Sequence, residues 1–353
     1  MENHFLKRIS ATRLPPHLEW HQFESINSHS IESIYQFLNK NYRHHMEKTG
    51  ISVSRDYIRR NLTYDDGIGE EYLKISKDLS LAIKDRESNE LVAMVIGRPT
   101  PIQSFNSKKI VLVVSLLCVD ECYRTTSISY KLIKKYFENL SVYDLAQGAI
   151  FTGTNLPFNK LYLSNDYVML LNKDNINKLK GMGGHKVLPF NNEHVKVFKK
   201  IFKKTNINFQ IHQIFMSDEY FFNFFKLYGD TYTYCMMDGS EVVAWFSFTA
   251  SYYTQQHSEK NECLASQGES VKKVKVANLS VAASFKSDIN LVVKCALKKA
   301  YDLGFSVFVV PHNIASLLDD LKDLNLQLGS DQWTYTVGDK KQYPVKTANI
   351  IFY

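Results

Sequence analysis

Apolar residues recur at helical spacing near the start of the chain, at Ile31, Ile34 and Leu38, and the same spacing returns at Val195, Phe198 and Phe202. Ile31 and Val195 are 164 positions apart. A second predicted helix follows each, SRDYIRRNL around Tyr57 and SDEYFFNFF around Tyr220. In both, a serine precedes acidic residues and an apolar face, the pattern of a capped helix. Each half then alternates as a strand, a polar turn and a strand: LAIKDRESNELVAMVIG from Leu81, and YTYCMMDGSEVVAWFSF from Tyr232, where Asp238-Gly239 marks a hairpin. Ala93 and Ala244 are 151 apart, so the loops differ between the copies. A third strand starts at Lys108-Lys109 and at Lys272-Lys273. A helix follows, KLIKKYFENL from Lys131 and KCALKKAYDLG from Lys294, and leads to a β-branched or aromatic run at Gly148 to Phe151 and at Gly304 to Val310.

Helix, helix, hairpin, strand, helix, strand is the order of an acetyltransferase-like α/β unit. Its double occurrence predicts a tandem pair of such GNAT-like α/β units with mixed sheets, related by a pseudo-two-fold. The boundary falls between residues 1–180 and 181–353. A length of 353 residues agrees, being beyond the roughly 250 to 300 at which a single core tends to split. The polar segment Tyr253 to Ser270 reads as a surface loop inserted in the second copy.

Composition narrows the partners. An apolar content of 44% is ample for a core, no run approaches the ~18 apolar residues of a membrane span, and MENHFLKRIS is no signal peptide. A cytoplasmic protein is expected. Five cysteines, Cys118, Cys122, Cys235, Cys263 and Cys295, lack paired spacing and read as free thiols. The formal charge of +7 is compatible with a phosphorylated co-substrate, a nucleic acid or an acidic membrane, and with a merely solvated lysine-rich surface. No zinc-finger spacing, basic zipper or glycine-rich phosphate loop points to nucleic acid. His44-His45 has no spaced partner, so no metal is expected.

Candidate chemistry sits where the strand VLVVSLLCVD gives way to ECYRTTSISYKLI, because a helix N-terminus offers free N–H groups and a favourable dipole to an anion. Thr125, Thr126 and Ser127 add hydroxyls, and Arg124 and Lys131 add charge. The same residues also serve as plain caps of a helix with Ile128, Leu132, Ile133, Tyr136, Phe137 and Leu140 on its core face. In the second copy Asp288 stands at the matching helix start and repels phosphate, which leaves the first copy as the anion site.

Ordered motifs over almost the whole chain resemble those of the N-myristoyltransferases. LPPHLEW from Leu14 is similar to Leu-Pro-x-Gly-Phe-x-Trp, and IYQFLNKNY from Ile34 to Tyr-x-Leu-Leu-x-x-Asn-Tyr. ELVAMVIGRPTPI from Glu90 resembles the strand and turn Leu-Val-Gly-Phe-Ile-x-x-x-Pro, and VVSLLCVDE from Val113 the signature Glu-Ile-Asn-Phe-Leu-Cys-x-His-Lys. AIFTG from Ala149, AWFSFTASYY from Ala244 and GFSVFVV from Gly304 resemble Tyr-Thr-Ala-Gly, Phe-x-Ser-Phe-Tyr-x-Leu-Pro and Gly-Phe-Asp-Val-Phe-Asn-Ala.

The resemblance implies transfer of myristate from myristoyl-CoA, a co-substrate, to the N-terminal glycine of proteins, with no covalently bound cofactor, no nucleic acid and a monomeric enzyme. It assigns acyl-CoA binding to the first half and the peptide to the second, with the chain terminus returning to the site. Backbone N–H groups of Leu116 and Leu117 would form the oxyanion hole, and the α-carboxylate of Tyr353 would be the base. Arg124, Thr125, Thr126, Ser127, Ile128 and Ser129 would hold the CoA. Tyr42, Ser115, Thr152, Phe248 and Tyr253 would meet the peptide. The chain departs from the family where its acidic run becomes Arg43-His44-His45-Met46-Glu47, where Lys-Phe-Gly-x-Gly-Asp-Gly becomes NLQLGSD from Asn325, and where Val309-Val310-Pro311 replaces Asn-Ala-Leu. An inactive binding protein of the same fold, and a tandem enzyme with another acyl donor, are the alternatives.

Overall fold

The computed structural model describes residues 13–23, 27–42, 50–62, 78–104, 107–124, 126–140, 146–153, 160–179, 181, 184–206, 211–215, 217–226, 229–255, 272–285, 288–319, 321–337 and 350–351. The first half runs β1 (Leu18–Gln22), α1 (Ser28–Asn41), β2 (Gly50–Ser52), α2 (Arg55–Leu62), β3 (Leu81–Asp85), β4 (Leu91–Ser104), β5 (Ser107–Val119), α3 (Ile128–Leu140) and β6 (Ala146–Gly153). After β7 (Lys160–Leu170) and the short α4 (Lys173–Lys178), the same order returns. It runs β8 (Lys186–Pro189), α5 (Val195–Asn206), β9 (Ile211–Gln213), α6 (Asp218–Phe225), β10 (Thr231–Asp238), β11 (Glu241–Gln255), β12 (Lys272–Ser284), α7 (Ile289–Asp302) and β13 (Val307–Val310). The chain closes with α8 (His312–Ala315), β14 (Gln327–Val337) and β15 (Ile350–Ile351).

The predicted α/β class with mixed pairing is what the chain adopts. β3, β4 and β5 pair antiparallel and β5 pairs parallel with β6; β10, β11, β12 and β13 repeat that arrangement. β14 and β7 join the two sets into one sheet. Helices cover both faces. On one face Ile31, Ile34, Phe37, Leu38, Ile58 and Leu62 of α1 and α2 bury against β4 and β5, and Val195, Phe198, Ile201, Phe202, Phe221 and Phe225 of α5 and α6 do the same in the second half. On the other face α3 packs on the first half, and α7 packs on the second together with Ile176 of α4 and Ile314 and Ala315 of α8.

The two halves also exchange short strands. β2 pairs with β11 of the second half, and β9 pairs with β4 of the first. The edge of β4 is free for this because β3 pairs only from Leu91 to Val95, and Pro99 and Pro101 further along have no N–H to give a ladder.

The duplication extends to irregularities. In β5, Leu112 and Val114 point to the α3 face but Leu116 and Cys118 point to the α1–α2 face. A period of two would keep all four on one side, so an extra residue must intervene. The register supplies it: Gly97 opposes Val114 and Ile96 opposes Leu116, leaving Ser115 unopposed. In β12 the same inversion separates Ala277 and Leu279 from Val281 and Ala283, with Ser280 left over between the pairs Phe248↔Leu279 and Ser247↔Val281. A second pair of bulges falls at Val92 and Val243, 151 positions apart like Ala93 and Ala244.

Candidate active site

The bulge at Ser115 lies where β5 and β6 part. Their parallel pairing ends at Val114↔Phe151, while β6 runs on through Thr152 and Gly153 paired to β14 on its other side. From Ser115 to Val119 the strand pairs with β4 alone among the described residues. Past Val114 the edge of this strand that faced β6 has no ladder partner among the described residues, which leaves main-chain groups on that edge open to a ligand. The backbone is held there by its side chains: Leu116 is fully buried on the α1–α2 face and Leu117 packs against the α3 face. Ser115 adds a buried hydroxyl oxygen with no hydrogen-bond partner. Ser115, Leu116, Leu117 and the backbone of Thr152 therefore lie about one fork.

Beyond the fork, the chain is stitched to the end of α1. Asp120 accepts from Cys122 N at 3.0 Å and lies 3.5 Å from Lys40 Nζ. Burial works against its charge, but the Cys122 amide, Lys40 and Asn41 together hold the carboxyl below the usual carboxylate range. Asn41 accepts from Glu121 N at 3.3 Å. Arg124 donates to Val119 O at 3.2 Å and, through its other nitrogen, to Asn41 O. Its guanidinium thus ties the turn to α1, a use that the sequence reading did not foresee because both acceptors are main-chain carbonyls. Lys131 is occupied too, donating to Arg13 O at 2.7 Å.

The first turn of α3 remains open to solvent. Ser127 O accepts from Lys131 N, Thr126 Oγ1 donates to Tyr123 O at 2.5 Å and accepts from Ile128 N at 3.4 Å, and Thr126 and Ser127 are exposed. Ile128 is buried and Ser129 partly so, while Thr125 lies outside the described residues. In the second half Asp288 accepts from Asn290 N at 2.8 Å, so a carboxylate does close that helix start.

Tyr42 caps α1, and burial raises its ionisation above the ordinary phenol range; Tyr57, Cys118 and Tyr253 are close enough to add to the effect. Tyr42 and Tyr253 therefore share one neighbourhood, with Cys118 between the fork and Tyr42. Phe248 does not join them. Its ring is fully buried in the second core, stacked on Tyr232 at 5.3 Å and met edge-on by Phe305 at 5.5 Å, so its expected peptide contact is corrected to a packing role. Tyr353 lies outside the described residues. β15 pairs parallel with β9, and both run from the Ser104 end of β4 toward Ile102, the sense that leads on to Ile96 opposite Leu116.

A position missed in the sequence is Gly97, opposite Val114. A Cβ there would lie 1.6 Å from the hydroxyl of Tyr136, the fully buried ring of α3. The described residues hold no group of three or more His, Cys, Asp or Glu able to take a metal, and no helix long and apolar enough to cross a membrane. Cys118, Cys122, Cys235 and Cys295 are free, and Cys263 lies outside the described residues.

Residues 5–160 match the family described as Myristoyl-CoA:protein N-myristoyltransferase, N-terminal domain. Over that stretch the chain is similar to the N-myristoyltransferase family. The fold agrees over nearly the whole chain. N-myristoyltransferase of Saccharomyces cerevisiae, solved with bound myristoyl-CoA, aligns at a TM-score of 0.76 and 17% identity, covering 96% of this chain and 82% of that one. Two further structures of the yeast N-myristoyltransferase, one with myristoyl-CoA and one with myristoyl-CoA and inhibitors, give TM-scores of 0.72 and 0.73 at 16% identity. They cover 94% and 97% of this chain and 85% of theirs. No curated protein matches by sequence. At 16–17% identity the likeness is one of fold, and the yeast structures hold bound myristoyl-CoA.

Proposed function

We propose that the chain moves myristate from myristoyl-CoA to the N-terminal glycine amine of a peptide or protein. The fork at the Ser115 bulge carries this reading, because it leaves main-chain groups on one edge of a rigid strand open to a ligand. In the proposed reaction, residues 1–180 grip the thioester and residues 181–353 present the peptide. The Leu116 and Leu117 amides hold the thioester oxygen as it gains charge. The glycine amine, having passed a proton to the Tyr353 α-carboxylate, attacks the carbonyl carbon. The C–S bond then breaks, and CoA leaves as thiol after taking up a proton. An α-carboxyl titrates near ~3.5, so it deprotonates an ammonium only in a desolvated contact. The exposed Thr126 and Ser127 ahead of α3, with the backbone of Ile128 and Ser129, would face the CoA phosphates, and Ser115, Thr152, Tyr42 and Tyr253 would line the peptide path.

Loss of transfer with retained acyl-CoA binding, on adding a few residues after Tyr353, tests the base; undiminished turnover removes it. The inward use of Arg124 and Lys131 favours a second reading, a non-catalytic protein that keeps the fold as a binding component. Absence of both acyl-CoA binding and transfer would select it.

A further inference from the structure

The solvent face of α5 is built almost entirely of lysine. Val195, Phe198, Ile201 and Phe202 are buried, while Lys196, Lys200, Lys203 and Lys204 are exposed beside Val197, itself 36% exposed. Lys199 completes the face and pairs with Asp218 at 2.7 Å. The other four have no carboxylate partner among the described residues. Lys200 and Lys204 lie 5.7 and 5.6 Å from the Phe285 ring, and Lys204 also donates to Phe285 O at 3.2 Å.

The duplication supplies an internal control. At the same offset of 164, α1 buries Ile31, Ile34, Phe37 and Leu38 as α5 buries its four apolar residues. Yet where α5 carries its five lysines, α1 carries Glu32, Tyr35, Gln36, Asn39 and Lys40, with no net charge. The fold therefore does not require the lysines. Lys196–Lys200, Lys199–Lys203 and Lys200–Lys204 are like charges one turn apart that repel, set against the favourable place of Lys203 and Lys204 in the last turn. A charge pattern that the matching helix of the first half does without is open to a use outside the fold.

We infer that this face of α5 docks the protein on an anionic lipid surface. The partner is polyanionic, since four lysines without a carboxylate partner among the described residues line one helix. Lysine without arginine, with the Phe285 ring half-buried against Lys200 and Lys204, suits a diffuse sheet of charge better than base stacking or bidentate phosphate recognition. The long aliphatic stems and the exposed Val197 suit the boundary between headgroups and acyl chains. The inference concerns a surface distinct from the fork and does not depend on acyl transfer.

The test is co-sedimentation of the full chain with vesicles of phosphatidylcholine alone and of phosphatidylcholine with phosphatidylserine. Binding is expected only to the second, falling steeply as salt is raised. Each lysine near such a surface is expected to contribute about fivefold in affinity. The variant Lys196→Gln, Lys200→Gln, Lys203→Gln, Lys204→Gln should therefore release the vesicles. It relieves like-charge repulsion but gives up the Lys204 bond to Phe285 O and the contacts with the Phe285 ring, so it should still unfold cooperatively and melt close to the parent. A control set at exposed lysines elsewhere, Lys108→Gln, Lys173→Gln, Lys178→Gln, Lys273→Gln, should bind as the parent does. Equal loss in both sets, or unchanged binding of the α5 variant, would overturn the assignment. Tighter capture of single-stranded RNA than of anionic vesicles through these lysines would overturn the lipid partner.

Discussion

Cys118 follows the two proposed oxyanion donors, and its environment decides what it can do. Burial pushes its thiol up to about 12, with Arg124 opposing the shift and Asp120 adding to it. It is protonated at neutral pH and is no nucleophile. Iodoacetamide should label the exposed Cys122 well ahead of Cys118, Cys235 and Cys295, and Cys118→Ala should leave transfer at the wild-type order of magnitude. Faster labelling of Cys118 would contradict this account. Asp120 gives a pH test. Its carboxyl is held below the ordinary value near ~3.9, so it adds stability above that pH and loses it as pH falls through the lower folded value. Asp120→Asn should therefore be less stable than the parent at neutral pH, and urea midpoints of the two should converge in acid.

At the scale of elements, the fork depends on close approach of α3 to β4. Gly97→Ala would force a methyl against the buried Tyr136 ring and should cost about 1–3 kcal/mol in urea unfolding; an unchanged midpoint would show that α3 stands further off. Much of this level was legible in the sequence. Ile31 and Val195 align two helices, and Ala93 and Ala244 two strands, because burial of one face imposes periodicity. The bulges were not legible, since Ser115 and Ser280 are ordinary polar residues in strands and only the inverted faces of their neighbours reveal them. Phe248, which the motif placed at the peptide, shares one face of β11 with Ala244 and Phe246 and lies in the core. The tether from Arg124 was invisible because carbonyl acceptors leave no mark in a sequence.

At the scale of the molecule, the halves are locked by exchanged strands and by charge. β2 and β9 are three-residue strands that cross between halves, too short for any periodicity to announce. Arg60 of α2 reaches Asp230 at 3.3 Å and Thr231 at 2.5 Å at the start of β10, with side chains 15% and 2% exposed for the ion pair. Removing the cation strands a buried carboxylate, so Arg60→Met should destabilise by roughly 3–5 kcal/mol, and Arg60→Met with Asp230→Leu should recover much of the loss. No recovery in the double variant would show that the pair is not the source of the cost.

The central claim is that the fork receives a thioester and passes its acyl group to an amine. Its most direct test is to incubate the full-length protein with isotopically labelled myristoyl-CoA and a panel of Gly-initiated peptides, some rich in acidic residues, and to read peptide mass with time. The account predicts label on the N-terminal glycine and none on the same peptides with a blocked terminus; myristoyl-CoA that binds nowhere and leaves every peptide mass unchanged would contradict it.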